Sequence, residues 1–331
     1  MPFTGFLVSA LFILTSLVRF AEAEDYRIKV AAPETPPSFH NLYLQVAYEK
    51  GIFKKNGIIV DEFMQMKGGP LATQAVVSGQ VDVTATDVEG VLHSVAAGYA
   101  VRAVGAPAAR LSYVIAVRKD INTISDLKGK PFAVSRPGAL SQYITFPFLE
   151  AAGVQRNDVQ WLSVGSSKDR LLALMADRVK GAVLYIDTIV EAKDNPDIKV
   201  LAQVADKLPD YPHELLLVRK EDIDKQPEKV TRIVQSIIEA CRYMATHREE
   251  SVDVFIKYAG VERAQAEEAY DRLIKLKGWG LNGGMTPKRL EAAMDMSLQN
   301  KAIEQSLPFD QWADFRFQDE ALQRIGGPIR E

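Results

Sequence analysis

The most informative segment of the chain is residues 42–83, LYLQVAYEKGIFKKNGIIVDEFMQMKGGPLATQAVVSGQVDV. A helix is predicted up to Gly51, because glycine readily adopts the left-handed backbone that closes many helices. An alternating strand is predicted for residues 58–64, and Pro70 suits the first turn of a second helix. Another strand is predicted for residues 81–85. Strands separated by helices of this length are typical of βαβ units in a parallel sheet.

The same alternation of strands and helices extends outward from this segment. A strand is predicted for residues 26–32, and Asn41 is expected to be the N-cap of the helix that ends at Gly51. Residues 112–185 repeat the plan with further strands, and beyond residue 224 helical periodicity prevails. The sequence therefore predicts two α/β units, followed by helices that wrap the first unit.

Length and composition limit the class of protein. The 331 residues are 47% apolar and 25% charged, which suffices for two independent cores. A net charge of −3 and a pI near 5.9 supply no basic field for nucleic acid or for an anionic membrane surface. We therefore expect no nucleic-acid partner.

The N-terminus has the pattern of a secretory signal peptide. Residues 6–18 are almost entirely apolar, and the small-residue pattern Ala21-Glu22-Ala23 precedes polar residues. We predict cleavage after Ala23 and a periplasmic location, since the apolar run is shorter than the ~20 residues that a membrane span needs. An uncleaved anchor is the alternative. The single cysteine, Cys241, falls on the apolar face of a predicted helix and is expected to be a buried, inert thiol.

Two segments resemble catalytic or cofactor motifs but lack their context. His213-Glu214-Leu215-Leu216-Leu217 begins like a zinc-protease helix, yet it has no second histidine and is predicted to be a strand. Gly278-Trp279-Gly280-Leu281-Asn282-Gly283 matches the dinucleotide fingerprint, but it follows a predicted helix rather than a strand. It is therefore interpreted as a helix end and a loop, with Thr286 as the next N-cap. We predict no catalytic residue, metal or cofactor.

Two strand-to-helix loops have the residue types of an anion site. In Arg136-Pro137-Gly138-Ala139-Leu140-Ser141, free backbone N–H groups are expected beside an arginine, at the start of a helix that extends to about Ala152. Lys67-Gly68-Gly69-Pro70 offers the same geometry in the first unit, where glycine permits close approach of the backbone. A turn with a solvated or flexible side chain is the alternative for each loop.

Other candidate residues lie at neighbouring strand ends, where open parallel sheets bind their ligands. They are Phe39, His40, Thr86, Asp87, Tyr185 and Asp187. An aromatic side chain beside a polar one suits a small organic ligand, with a place in the packed core as the alternative for the aromatic residues. The polar pair at the third strand either contacts a ligand or caps the helix that follows.

The order of these segments resembles the periplasmic substrate-binding proteins of the nitrate, sulfonate and taurine type of ABC importer, a family also called thiamine-precursor-like. The strongest matches are residues 49–57 with the following strand, 78–83 and 126–130, and the similarity covers residues 26 to about 300. The resemblance implies a type II periplasmic-binding fold, in which two α/β lobes joined by two crossing strands close over a ligand.

The resemblance also implies the boundaries of the two lobes. The crossings are expected at residues 107–112 and 206–213. Lobe 1 is then residues 24–110 with 212–331, and lobe 2 is residues 111–211, after a signal peptide at 1–23.

The implied function is that of an exported, monomeric and non-enzymatic receptor. Such a receptor captures a small organic anion, for example a sulfonate or a carboxylate, and delivers it to an ABC permease in the inner membrane. In this family the strand-end loops bind the ligand, which carries ligand contact onto Ser38, Phe39, His40, Lys67, Gly68, Gly69, Thr86, Asp87, Arg136, Gly138, Ala139, Ser141, Tyr185 and Asp187.

The chain departs from the family pattern at one place. Residues 179–182 lack the aspartate that the family often has there, with little expected effect on ligand binding.

Two alternatives to the receptor function remain open. Enzymes of the thiamine-pyrimidine type share the fold, but they look to rely on a cysteine-rich iron-binding motif, and Cys241 is the single cysteine here. The other alternative is a ligand-sensing module for a membrane kinase.

Overall fold

The structure is a computed structural model that describes residues 25–330, so the predicted signal peptide lies outside the described residues. Within that range the strands are β1 (Tyr26–Ala32), β2 (Ile58–Gln65), β3 (Val83–Thr86), β4 (Val101–Ala108), β5 (Tyr113–Arg118), β6 (Pro131–Val134), β7 (Gln160–Ser163), β8 (Gly181–Tyr185), β9 (Ile198–Gln203) and β10 (Glu214–Arg219).

The helices of the first part of the chain are α1 (Tyr43–Glu49), α2 (Ile52–Lys55), α3 (Gly69–Val77), α4 (Val88–Ala96), α5 (Leu140–Tyr143), α6 (Phe146–Ala151), α7 (Ser167–Met175), α8 (Ile186–Val190) and α9 (Val204–Lys207). The later helices are α10 (Lys220–Lys225), α11 (Pro227–Thr246), α12 (Arg248–Ala259), α13 (Arg263–Leu276), α14 (Pro287–Gln299), α15 (Phe309–Trp312) and α16 (Arg316–Arg324). Short 3-10 turns cover Phe39–Asn41, Ile124–Leu127 and Arg156–Asp158.

The strands form two sheets of the same plan. The strand orders are β2-β1-β3-β10-β4 and β7-β6-β8-β5-β9. In each sheet one strand runs against its neighbours: β10 is antiparallel to β3 and β4, and β5 is antiparallel to β8 and β9. The chain passes between the sheets at residues 109–112 and again at 204–213. This double crossing agrees with the predicted two-lobed α/β architecture.

Local signals in the sequence explain most element ends. Gly51 closes α1 with a backbone φ of +66°, a conformation that costs glycine little. Pro70 lies in the first turn of α3, as predicted. The prediction of Asn41 as an N-cap is wrong, because Phe39–Asn41 form a 3-10 turn and α1 begins only at Tyr43.

The predicted helix after Ser141 is interrupted. It divides into α5 and α6, and Pro147 lies in the first turn of α6. Proline has no backbone N–H to continue the hydrogen-bond ladder of a preceding helix, so it begins a new helix instead.

The C-terminal helices complete the core and also contact the second unit. On α11 the side chains of Ile233, Ile237 and Cys241 are at most 2% exposed, which confirms the buried thiol. Helix α13 packs against α8 of the second unit, so the prediction that these helices wrap only the first unit is too narrow. Among residues 25–330 no helix combines the length and the apolar character needed to cross a membrane.

Candidate functional site

Two hydrogen bonds join the lobes where the loop after β1 meets the start of α8. The hydroxyl of Tyr185 donates to Glu34 Oε1 at 2.7 Å, and the backbone N–H of Phe39 donates to Asp187 Oδ2 at 3.1 Å. The partners are about 150 positions apart in the chain, with separations of 151 and 148 residues. We call the region around these bonds the inter-lobe layer, formed by residues 34–41, 112–113, 185–187 and 213–214.

His40 lies at the centre of the inter-lobe layer and is 1% exposed. Its Nδ1 is 2.8 Å from the hydroxyl of Ser38, and its Nε2 is 3.6 Å from Glu214 Oε1. The ring stacks on His213 with centroids 4.0 Å apart. Burial acts to lower the pKa of His40, but the carboxylates of Glu214 and Glu34 raise it, and the net direction is upward.

Glu34 shares the same environment. Burial raises the pKa of this carboxyl, and the negative charges of Glu214 and Asp187 raise it further, against a lowering effect of His40. The side-chain Nδ2 of Asn41 donates to Glu34 Oε2 at 3.3 Å. This bond fixes the orientation of the amide and leaves Asn41 Oδ1 buried without a hydrogen-bond partner.

Aromatic rings form the other side of the inter-lobe layer. Tyr113 stacks on Tyr185 with centroids 4.7 Å apart, and its ring is also 4.7 Å from that of His213. The hydroxyl of Ser112 is 2.9 Å from His213 Nδ1. Burial and the charge of His40 hold the pKa of His213 well below its usual value, so this ring is neutral.

A second acidic group lies at the start of α4. Asp87 caps this helix, since its Oδ1 accepts a hydrogen bond from the N–H of Gly90 at 2.8 Å. Glu89 accepts from the hydroxyl of Tyr211 at 2.7 Å, while its other oxygen, Oε2, is buried without a partner. Burial and the charge of Asp87 raise the pKa of Glu89 to about 7.

The structure brings some of the predicted site residues together and places others elsewhere. Ser38, His40, Tyr185 and Asp187 all contribute to the inter-lobe layer. The ring of Phe39 instead lies in the core, where its centroid is 4.4 Å from that of Phe255. Only the backbone N–H of Phe39 reaches the layer, because its aromatic side chain is committed to the packing of the later helices.

The loop before α3 lies close to Thr86. Thr86 is 1% exposed and accepts a hydrogen bond from Thr73 at 2.9 Å, and a Cβ atom added to Gly69 would come within 3.4 Å of its hydroxyl. The N–H of Gly68 is already used, since it donates to the carbonyl of Pro33 at 2.9 Å. The side chain of Lys67 is exposed.

The loop before α5 is self-contained. The N–H of Gly138 donates to Gln142 Oε1 at 2.8 Å, and the N–H of Ser135 donates to the hydroxyl of Ser141 at 2.9 Å. The N–H of Ala139 also donates, to the carbonyl of Arg136 at 3.3 Å, so the prediction of free N–H groups in residues 136–141 is wrong for Gly138 and Ala139. Helix α5 has 4 residues and so offers little dipole, and Arg136 is exposed.

Several residues of the inter-lobe layer were missed by sequence reasoning. They are Glu34, Asn41, Ser112, Tyr113, His213 and Glu214. Tyr43 on α1, next to the layer, was also missed, and its hydroxyl donates to Glu214 Oε2 at 2.8 Å. A usable signal exists for two of them. Tyr113 and Glu214 are the first residues of the strands that follow the two crossings, so each lies where the chain enters a new lobe.

The family model described as NMT1/THI5 like matches residues 37–251, which is more than half of the chain. The chain belongs to this family. The predicted resemblance is thereby confirmed, since sulfonate-binding periplasmic proteins are also among the structural neighbours of the chain. The matched residues include β2 to β10 and nearly all of the inter-lobe layer.

Comparison with individual proteins supports the fold. A Brucella abortus protein that is named only as a binding protein is 28% identical over 225 residues, which are 67% of this chain and 69% of the relative. The periplasmic aliphatic sulphonate binding protein SsuA of Escherichia coli superimposes with a TM-score of 0.71 at 17% identity, over 87% of this chain and 92% of SsuA. The predicted periplasmic-binding-protein fold is thus confirmed.

An enzyme is also similar in structure. The desulfurization enzyme DSZB superimposes with a TM-score of 0.64 at 15% identity, over 90% of this chain and 99% of DSZB. Similarity at this level of identity shows the fold alone, and one fold carries both binding and catalytic proteins. Within residues 25–330, no group of three or more His, Cys, Asp or Glu side chains has an arrangement that could hold a metal ion.

Proposed function

We propose that this protein is the exported solute-binding component of an ABC importer, and that it binds a small organic molecule between its two lobes without changing it chemically. The observation that carries the proposal is the pair of inter-lobe hydrogen bonds, from Tyr185 to Glu34 and from Phe39 to Asp187. They join half-buried polar groups of one lobe to those of the other. Polar groups that converge at a lobe boundary are a frequent setting for ligand sites.

The proposed mechanism is closure of lobe 2 (residues 111–211) on lobe 1 (residues 24–110 and 212–331). The segments 109–112 and 204–213 are the covalent connections between the sheets, so they are the proposed hinge. A ligand that contacts both lobes favours the closed state by its differential affinity for that state. The permease would then recognise the closed form and accept the ligand on reopening.

The comparisons support a binding role and leave the ligand open. E. coli SsuA is described as binding aliphatic sulphonates, and the B. abortus relative is described as a binding protein. Our sequence-based hypothesis of a small organic anion, a sulfonate or a carboxylate, draws its support from this likeness. The loop at Ser135 and Gly138 does not add to that support, because its amides are occupied by protein acceptors.

A melting-temperature screen of the purified exported protein tests the receptor function. Sulfonates, carboxylates, amines and heterocycles are screened, and the ligand found is then added during small-angle scattering. A ligand at about 100 times its Kd adds roughly 2.7 kcal/mol of apparent stability. We expect one chemical class to raise the melting temperature and to reduce the radius of gyration. A flat response to every class would contradict the receptor function.

The variant Tyr185→Phe tests the inter-lobe contact itself. It removes only the hydroxyl that reaches Glu34. We expect the affinity for the ligand to fall about tenfold, because a charge-assisted hydrogen bond across the closing lobes is lost. Tyr99→Phe is the matched control, since Tyr99 is 52% exposed. Equal affinities of the two variants would show that Tyr185 takes no part in closure.

An enzymatic function is the second candidate, and the environment of His40 favours it. A buried imidazole held by Ser38 Oγ and facing the Glu214 carboxylate is an arrangement that acid–base catalysts use. Mass spectrometry of the ligand after prolonged incubation with the protein separates the two functions. Recovery of unchanged ligand supports the receptor, whereas a product that His40→Gln no longer forms supports the enzyme.

A further inference from the structure

Carboxylates are concentrated where the two lobes meet. The inter-lobe layer and the neighbouring start of α4 contain Glu34, Asp87, Glu89, Asp187 and Glu214. These groups affect one another: burial and the charges of Glu214 and Asp187 raise the pKa of Glu34, and burial and Glu214 raise that of Asp87. Buried negative charge is costly unless cations or hydrogen-bond donors compensate it.

The buried cationic side chains nearby are already engaged. The guanidinium of Arg170 is 3% exposed and donates to the carbonyl oxygens of Val183 at 2.7 Å and Gly165 at 2.6 Å. His40 faces Glu214 and Ser38. The positive charges of Arg170 and His40 offset only part of the negative charge of the five carboxylates. The Nε and Nη1 donors of Arg170 bind backbone carbonyl oxygens and not these carboxylates.

Three buried polar atoms of the inter-lobe layer and the start of α4 lack hydrogen-bond partners: His40 Nε2, which faces Glu214 Oε1 at 3.6 Å, and the two acceptors Asn41 Oδ1 and Glu89 Oε2. Asn41 is 1% exposed, and its Oδ1 has no hydrogen-bond partner, while its Nδ2 is held by Glu34. Glu89 is 6% exposed, and its Oε2 likewise has no partner. An unpaired acceptor beside a carboxylate favours a ligand that supplies a hydrogen-bond donor, because an acceptor that stays unpaired in the closed state costs free energy.

Resting on the proposed receptor function, we propose that the ligand is an organic cation with N–H groups, such as an amidinium or an ammonium compound, and not an anion. Its charged nitrogen binds the carboxylates of Glu34 and Glu214 and donates to Asn41 Oδ1. The rings of Tyr185 and His40, whose centroids are 4.9 Å apart, contact its carbon skeleton. Attraction between a cation and a tyrosine face adds to the pairing.

Matched probes of opposite charge test this inference with the full exported protein. The first set is benzamidine, phenethylamine and cyclohexylamine, and the second set is benzoate, 3-phenylpropionate and cyclohexanecarboxylate, with benzenesulfonate added. We expect at least one cation to raise the melting temperature while its anionic counterpart does not. Stabilisation by anions alone would overturn the inference and leave the receptor function standing. No stabilisation by any probe would contradict the cation inference as stated, and the receptor function then depends on the wider screen described above.

Charge-neutral variants locate the bound cation. Glu34→Gln keeps the size of the side chain and removes its charge, so the Kd of the best cationic probe should rise about tenfold or more. Glu214→Gln, whose amide oxygen can still accept from Tyr43, is the second variant if Glu34→Gln folds poorly, as judged by its melting curve without probe. Glu291→Gln is the control, because Glu291 is exposed on α14. Unchanged affinity in both site variants would overturn the assignment.

Discussion

Two loops occupy equivalent places in the two lobes and differ in almost every physical property. The loop after β1 buries Ser38, His40 and Asn41, and it meets the other lobe through the N–H of Phe39, which donates to Asp187, and through the ring of His40, 4.9 Å from that of Tyr185. The loop after β6 is exposed from Arg136 to Gly138 and satisfies its own amides. The comparison teaches that a strand end becomes a binding candidate through burial against a partner lobe, and not through its content of glycine, serine and arginine.

Of the substitutions considered, removal of the Glu214 side chain from the inter-lobe layer should reduce the stability of the protein most. Glu214 accepts from Tyr43 and faces His40, and both partners are buried. We expect Glu214→Ala to lower the free energy of unfolding by about 3 to 5 kcal/mol, because buried charged and polar groups lose their partner. Urea denaturation measures this. A loss below about 1 kcal/mol would show that the layer is not a structural unit.

The buried Glu89 at the start of α4 should make the stability of the protein depend on pH, in contrast to the exposed loop after β6. The pKa of Glu89 in the folded state is about 7, against an ordinary 4.5, with Asp87 and Tyr211 as its facing groups. Between pH 4.5 and 7 the folded protein therefore holds a proton on Glu89 that the unfolded chain has released. The stability that this proton contributes is lost as the pH rises from 4.5 through 7.

The variant Glu89→Gln isolates that contribution. We expect the stability of the wild-type protein to fall by up to about 3 kcal/mol more than that of the variant across this interval. Denaturation curves at several pH values measure the difference. Parallel pH profiles for the two proteins would contradict the assigned protonation of Glu89.

A smaller effect is expected in the loop after β6. Ser141→Ala removes the acceptor of the Ser135 N–H, so we expect a loss of about 1 kcal/mol in unfolding free energy and no change in ligand affinity. Thermal denaturation and a binding titration of the same sample measure both quantities. A marked loss of affinity would return this loop to the binding site and break the comparison.

The smallest effect concerns Arg136, which our sequence analysis expected to bind an anion. Its side chain is exposed, and surface substitutions usually change stability by less than about 0.5 kcal/mol. Arg136→Ala should leave both stability and ligand affinity within error of the wild-type values. A tenfold loss of affinity would restore the anion hypothesis.

Local chemistry made much of the fold predictable. The helix end at Gly51, the start at Pro70, the strand at 214–219 and the burial of Cys241 each depend on neighbouring residues or on one periodic stripe. The break between α5 and α6 was missed, although Pro147 signals it locally.

The inter-lobe layer was only partly predictable, for a different reason. Three bonds in or next to it join residues separated by 148 to 171 positions, such as Tyr43 with Glu214 and Glu34 with Tyr185. Which acid meets which tyrosine depends on how distant parts of the chain assemble, within lobe 1 for Tyr43 with Glu214 and between the lobes for Tyr185 with Glu34, and no local pattern encodes this. His40 and Tyr185 were among the predicted site residues because each lies at the end of a predicted strand or in the loop after it. Glu34 was not among them, because an acidic residue in a proline-rich loop is typical of a solvated turn.

A crystal structure with the strongest probe from the matched sets tests the central claim most directly. The account predicts a bound cation within hydrogen-bond distance of Glu34 or Glu214, with the rings of Tyr185 and His40 against its carbon atoms. An anion held at residues 135–141, with the inter-lobe layer unoccupied, would contradict it.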